Sequence, residues 1–177
     1  MKFNRLSLVA SAALLVSLST LPMMKAQSTP STIQSAYAAD ADKLSGKFVG
    51  LAGAMAGKYD WKPGQGVRSV GEVFNLIVVE NGMLARVLTG ATTPAGSRPA
   101  AISDPQKLQD ALKSSYAELE TAIHGLSEAD LKAPVKLFGR DMSKQAAIML
   151  LIGDQHEHLG QSIAYARSNG VVPPWSK

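Results

Sequence analysis

The chain contains no cysteine in 177 residues. That excludes disulfides, thiolate metal sites and cysteine nucleophiles. It also excludes a lipoprotein anchor, which needs a cysteine just behind an apolar leader. There is no run or stripe of Lys and Arg, so the electrostatic footprint of a nucleic-acid binder is missing. No Gly-rich phosphate loop and no Gly-x-Ser-x-Gly elbow occur. Nor is there a His-Glu-x-x-His motif: His156 and His158 flank Glu157 but stand two apart rather than four. Strand-type alternation is scarce and no internal repeat is visible. What remains is an all-α chain held by its core, with one long apolar run near its beginning.

That run spans residues 6–21, follows Lys2 and Arg5, and is closed by Pro22. A charged segment, a short apolar segment and a helix breaker make a cleavable secretory signal over residues 1–26, with an uncleaved anchor as the alternative. Cleavage is expected after Ala26, or after Ala38, where Ala36-Tyr37-Ala38 offers a small-x-small pattern. The mature protein is then periplasmic or extracellular, with no stable membrane anchor. Lys2, Arg5 and Lys25 leave with the signal and no acidic residue does, so the formal net charge of +4 falls to near +1. About 150 residues remain, enough for a single core.

Residues 27–40, rich in Ser, Thr, Ala and Gln, read as a flexible lead-in to a helical domain over 41–177. Leu44, Phe48, Leu51 and Met55 predict a first helix over 41–56. A turn-rich loop, Tyr59-Asp60-Trp61-Lys62-Pro63-Gly64-Gln65-Gly66, follows. Ser69-Val70-Gly71-Glu72 is a capping box that opens a second helix, which runs to Gly90. After a long loop, Asp104-Pro105 supplies the N-cap and first-turn proline of a third. Residues 127–131 predict one capped turn. Residues 133–140 predict a linker that lays Val135, Leu137 and Phe138 on the core. A last helix over 143–168 stops at Asn169-Gly170. The result is a four-helix bundle. Thirteen residues between helices two and three suffice to travel back along the bundle, so those two helices can run parallel. Tyr59, Trp61 and Trp175 are expected to plug bundle ends.

Four segments, taken together, resemble the DinB/YfiT-like family of four-helix-bundle metalloenzymes over about residues 44–175. They are Tyr59-Asp60-Trp61-Lys62-Pro63, Gly66-Val67-Arg68-Ser69-Val70-Gly71-Glu72-Val73, Leu137-Phe138-Gly139-Arg140, and Glu157-His158-Leu159-Gly160-Gln161-Ser162-Ile163-Ala164-Tyr165. The resemblance implies an up-down-down-up bundle. It also implies a divalent metal held by three histidines, at positions that fall here on Leu76, Asp154 and His158. Only His158 is a histidine; Asp154 can ligate and Leu76 cannot. The resemblance further implies that relatives act as metal-dependent hydrolases or thiol transferases.

At about 100° per residue, Asp154, His158, Gln161 and Tyr165 share one face of the last helix with Ala147 and Leu150, while His156 points roughly 160° away. His124 reads as a cation at a helix C-terminus. Glu80 lies one turn beyond Leu76, beside Val73, Val79, Met83 and Val87, where a carboxylate is costly unless paired or metal-bound. Two outcomes stay open. Glu80 reaches solvent or pairs with Arg86 or a Lys, and Asp154 with His158 merely satisfy each other. Or Glu80, Asp154 and His158 form a two-carboxylate, one-histidine metal set. The first expectation is an incomplete ancestral metal site, with Zn, Ni, Mn or Fe absent or weakly bound. The protein is then a non-catalytic or weakly metal-binding module that takes a small apolar ligand, a protein partner or a second copy of itself. The alternative is a hydrolase or thiol transferase using the rearranged set, with a metal-bound water as nucleophile.

Overall fold

The computed structural model describes residues 32–92 and 99–176. The expected signal, 1–26, lies outside them. Helix α1 (Thr32–Ala54) begins well before residue 41, so residues 32–40 are helical rather than a loose lead-in. The cause is tertiary. Ala38 and Ala41 are buried, and so is Gln34. The Gln34 amide donates to the carbonyls of Ile123, His124 and Leu126 at 2.6, 3.0 and 2.7 Å. Ile123 and His124 close α3, where end carbonyls lack partners further along the helix, and Leu126 lies just beyond it. Alanines and one glutamine carry no apolar rhythm, so the packing is invisible in the pattern.

Helix α2 (Val70–Thr89) starts as its sequence dictates. The Glu72 amide donates to Ser69 Oγ at 3.3 Å, and the Ser69 amide to Glu72 Oε2 at 2.7 Å. That backbone bond holds the Glu72 carboxyl below the usual carboxylate range. Gly71 has a packing reason: a Cβ there would lie 3.0 Å from Tyr59 Cβ and 3.3 Å from the Tyr59 carbonyl. The Gly71 amide donates to that same carbonyl at 2.9 Å. Gly90, at φ 76°, ends the helix in the left-handed region. Ser69→Ala should lower the unfolding free energy by about 1 kcal/mol in denaturant melts. A neutral result would mean that the box does not hold the helix start.

Helix α3 (Pro105–His124) is capped by Asp104, and α4 (Glu128–Lys132) by a second box between Ser127 and Asp130. The expected linker is instead an antiparallel hairpin, β1 (Pro134–Leu137) with β2 (Arg140–Ser143). Its two-residue turn puts Phe138 at φ 50° and Gly139 at φ 76°, the geometry that suits strand twist. Leu137 is buried and Val135 half-buried, as expected. Phe138 sits at the tip, 62% exposed, because the turn lifts it off the core. Strands of four residues are too short to announce themselves. Helix α5 (Lys144–Ser168) follows, then a 3-10 turn (Pro174–Ser176). Trp175 does not plug the bundle: it is 39% exposed, with Lys47 Nζ 5.7 Å from its ring centroid.

Cross-contacts fix the directions. Gln34 meets the end of α3, and Lys47 meets Trp175, beyond the end of α5. So α1 runs against α3 and alongside α5. Asn75 bonds Ile102 just ahead of α3, and Asn81 bonds Ser115, so α2 and α3 run parallel. Tyr165 reaches Arg68, and Lys144 reaches Leu88, so α5 runs against α2. This is the up-down-down-up bundle. Phe48 holds its centre, edge-on to Phe74 and stacked on Tyr116. Beside them lies a buried polar layer: Asn81 donates to Ser115, Gln155 to Asn81, and Tyr116 to Gln155, at 3.0, 2.7 and 2.9 Å.

Candidate metal centre

The buried stripe of α2 is Val70, Val73, Phe74, Ile77, Asn81, Leu84 and Leu88. Glu80 sits at its edge, and there α5 covers it. Glu80 is only 7% exposed. The sequence left open whether it reaches solvent; packing of α5 closes that route. On α5 the deeply buried stripe runs through Ile148, Leu151, Ile152, Gln155 and Leu159. Asp154 and His158 therefore lie one residue off the stripe, at the seam with α2. Their side chains are 43% and 15% exposed.

Three side chains from two helices converge here. One ligand-type atom from each of Glu80, Asp154 and His158 lies within 4.8 Å of the others. His158 Nε2 stands 3.6 Å from Asp154 Oδ2, too far for a hydrogen bond. Glu80 Oε2 is buried and has no hydrogen-bond partner. Burial first, then the charge of the neighbouring Asp154 and a side-chain hydrogen bond to it, push the Glu80 carboxyl up to about 8. The charge of Arg68 pulls the other way.

A carboxyl oxygen buried without a partner, beside a carboxylate and an imidazole, fits a first-row divalent ion by donor chemistry. Leu76, one turn before Glu80, is half-buried and brings no ligand atom. His156 lies outside the cluster, 2.9 Å from Asp40 on α1. His124 closes α3 far from it.

Sequence reasoning placed Gln161 and Tyr165 on the right face but gave them no task. In the structure His158 Nδ1 meets Gln161 Oε1 at 2.9 Å, and Gln161 Nε2 donates to Tyr165 Oη at 2.8 Å. Tyr165 Oη donates to the Arg68 carbonyl at 3.2 Å. Trp61 packs edge-on against the Tyr165 ring, 5.3 Å between centroids. The spacings of three and four residues from His158 to Gln161 to Tyr165 were the signal; their common end on a loop carbonyl of the α1–α2 connection was not readable.

The architecture is shared with solved proteins. A DinB-like protein from Bacillus subtilis superposes with a TM-score of 0.63 at 20% identity, over 80% of this chain and 94% of that one. A DinB-like protein from Bacillus cereus ATCC 10987 does so with a TM-score of 0.65 at 18% identity, over 80% and 93%. At that identity the likeness is one of fold. No match was found among curated proteins. The family model described as DinB superfamily matches residues 47–162, from the middle of α1 past the metal-type cluster on α5, and on that match the chain belongs to the DinB superfamily.

Proposed function

We propose that this protein is an exported DinB-superfamily module that binds one divalent first-row ion through Glu80, Asp154 and His158. The set stands one helical turn along α2 from the position that Leu76 fills. One observation carries the reading: Glu80 Oε2 is buried without a partner, within reach of a carboxylate and an imidazole. Below about pH 8 the metal-free Glu80 carboxyl keeps its proton; its ionised form is costly in that buried place, and a cation offsets the cost. When bound, the ion supplies Lewis-acid chemistry. The residues of the chain hold it, with Glu80 shielded from solvent and Asp154 on the open side. That opening, with the Asp154 side chain 43% exposed, favours a second reading, a metal-dependent hydrolase at the same set.

The test is uptake of Zn, Ni, Mn or Fe by chelator-treated protein, followed by elemental analysis and thermal melts. Near-stoichiometric uptake of at least one ion is expected. At a hundredfold excess over Kd that ion stabilises the fold by about 2.7 kcal/mol. His158→Ala should lose both effects while staying folded. Folded wild-type protein that takes up none of the four would overturn the reading in favour of a decayed site.

Export rests on Lys2, Arg5 and the apolar run over 6–21. Among the described residues, no helix is long and apolar enough to cross a membrane. Mass spectrometry of the native protein should find an N-terminus near Gln27 or Ala39. An intact Met1 in the membrane fraction would show an anchor instead.

A further inference from the structure

The hydrogen-bond chain behind His158 has a direction, and its far end sets it. A backbone carbonyl only accepts. At 3.2 Å from the Arg68 carbonyl, the Tyr165 hydroxyl must give its single proton there. Its oxygen is then an acceptor for the next group, so Gln161 turns its amide nitrogen toward it, at 2.8 Å. That leaves Gln161 Oε1 facing His158 Nδ1 at 2.9 Å. An amide oxygen only accepts, so Nδ1 carries the proton. In a neutral imidazole the lone pair is then on Nε2.

The other side of the ring agrees. Nε2 stands 3.6 Å from Asp154 Oδ2, longer than a hydrogen bond, as expected if no proton lies between them. The opposite direction would turn the Tyr165 proton onto Gln161 and leave the Arg68 carbonyl without its donor. It would also place a proton on Nε2 and make Asp154 and His158 a self-satisfied pair. The anchor is rigid. Tyr165 is 7% exposed, with Trp61 edge-on against its ring. The Val70 amide donates to the Trp61 carbonyl at 3.0 Å, tying that loop to the start of α2.

We propose that Gln161 is a positioning residue which, oriented by Tyr165 and the Arg68 carbonyl, locks His158 in the Nδ1–H tautomer and keeps the Nε2 lone pair on the side of Asp154. Its consequence for metal rests on the function proposed above; the tautomer exists before any ion arrives. Partners of this kind, on the far nitrogen of a ligand histidine, orient it and tune its basicity.

The experiment is two-bond proton–nitrogen correlation NMR on the metal-free mature protein with nitrogen-15 histidine, above the ordinary histidine range of about 6.5. His124 and His156 are assigned by substitution. Wild type should show His158 protonated at Nδ1 alone. Gln161→Glu keeps an acceptor for Nδ1 and should keep that spectrum. Gln161→Leu should give a mixture, and Tyr165→Phe an intermediate one, because Gln161 is then free to turn. Titration with zinc, read by competition with a chromophoric chelator, should show affinity about 10- to 100-fold weaker in Gln161→Leu and largely restored in Gln161→Glu. A wild-type His158 protonated at Nε2 overturns the proposal, whatever the metal result. The expected tautomer in a wild type that binds no metal supports the lock and overturns the metal reading instead. If Gln161→Leu does not fold, the wild-type, Gln161→Glu and Tyr165→Phe spectra still decide.

Discussion

Glu80→Gln should make the metal-free protein more stable and, in the same step, remove its response to metal. The Glu80 carboxyl titrates near 8 in the fold, against an ordinary value of 4.5, because it is buried and faces Asp154. Below 4.5 it is protonated whether the chain is folded or not, and its charge costs nothing. As pH rises from 4.5 to about 8, the unfolded chain releases the proton and the folded chain retains it, so stability falls. Above 8 the folded carboxyl is ionised too, and the loss levels off. Glutamine has no such proton to release, and its amide can donate toward Asp154. The variant should therefore lose less stability across that window. On the alkaline side it should exceed the metal-free wild type by on the order of 2 kcal/mol, after screening through the open Asp154 side. With a bound ion the order inverts. The wild type gains stability, and the variant, short of a charged ligand, should bind roughly 100-fold more weakly or worse. Denaturant melts at several pH values, with and without metal, read both effects. A variant that matches wild type in pH dependence and still takes up the ion would show that Glu80 is a surface group in solution.

Such an inversion is what a metal site at Glu80 would give in a stability measurement: the sequence breaks a rule of burial, and the compensation expected of it comes from a bound ion. It also explains which parts of the site were legible. The spacing of four residues puts Asp154 and His158 together on any helix, so their pairing needed no structure. Glu80 stood out because a carboxylate among Val73, Val79, Met83 and Val87 demands an explanation. Which explanation applies depends on whether α5 closes over it, and helical spacing places a residue on a face to within about one position. By the same margin Asp154 and His158 lie one residue off the buried stripe of α5, which runs through Gln155 and Leu159. Contacts between distant segments were out of reach for a different reason. Gln34 on the end of α3, and Tyr165 on the Arg68 carbonyl, join residues far apart in sequence through groups that have no periodicity. The hairpin was missed because its local signal, one left-handed pair at Phe138-Gly139, sits between strands of four residues.

Gln155→Leu should be among the most destabilising substitutions in the protein, although it replaces a polar residue in a core with an apolar one of similar size. Gln155 is fully buried, donates to Asn81 Oδ1 at 2.7 Å and accepts from Tyr116 Oη at 2.9 Å. Leucine leaves an amide oxygen and a phenol hydroxyl buried without partners, each costing about 1–3 kcal/mol. A total loss of about 3–4 kcal/mol in denaturant melts is expected, a large share of the stability of a domain this size. Replacing the layer as a whole, with Asn81→Leu, Ser115→Ala, Tyr116→Phe and Gln155→Leu together, should recover most of that loss, because no buried polar group is then left over. If the single variant is neutral, water or a repacked Asn81 satisfies the layer and its buried bonds do not carry stability. The two variants separate stability from registry. Asn81 directly follows Glu80, and Gln155 directly follows Asp154, so the bond between the amides clamps α2 to α5 beside the two carboxylates. An apolar layer packs without specifying that alignment. The quadruple variant should therefore melt near wild type yet bind metal more weakly. A quadruple variant with wild-type metal affinity would show that helix packing alone sets the distance between Glu80 and Asp154.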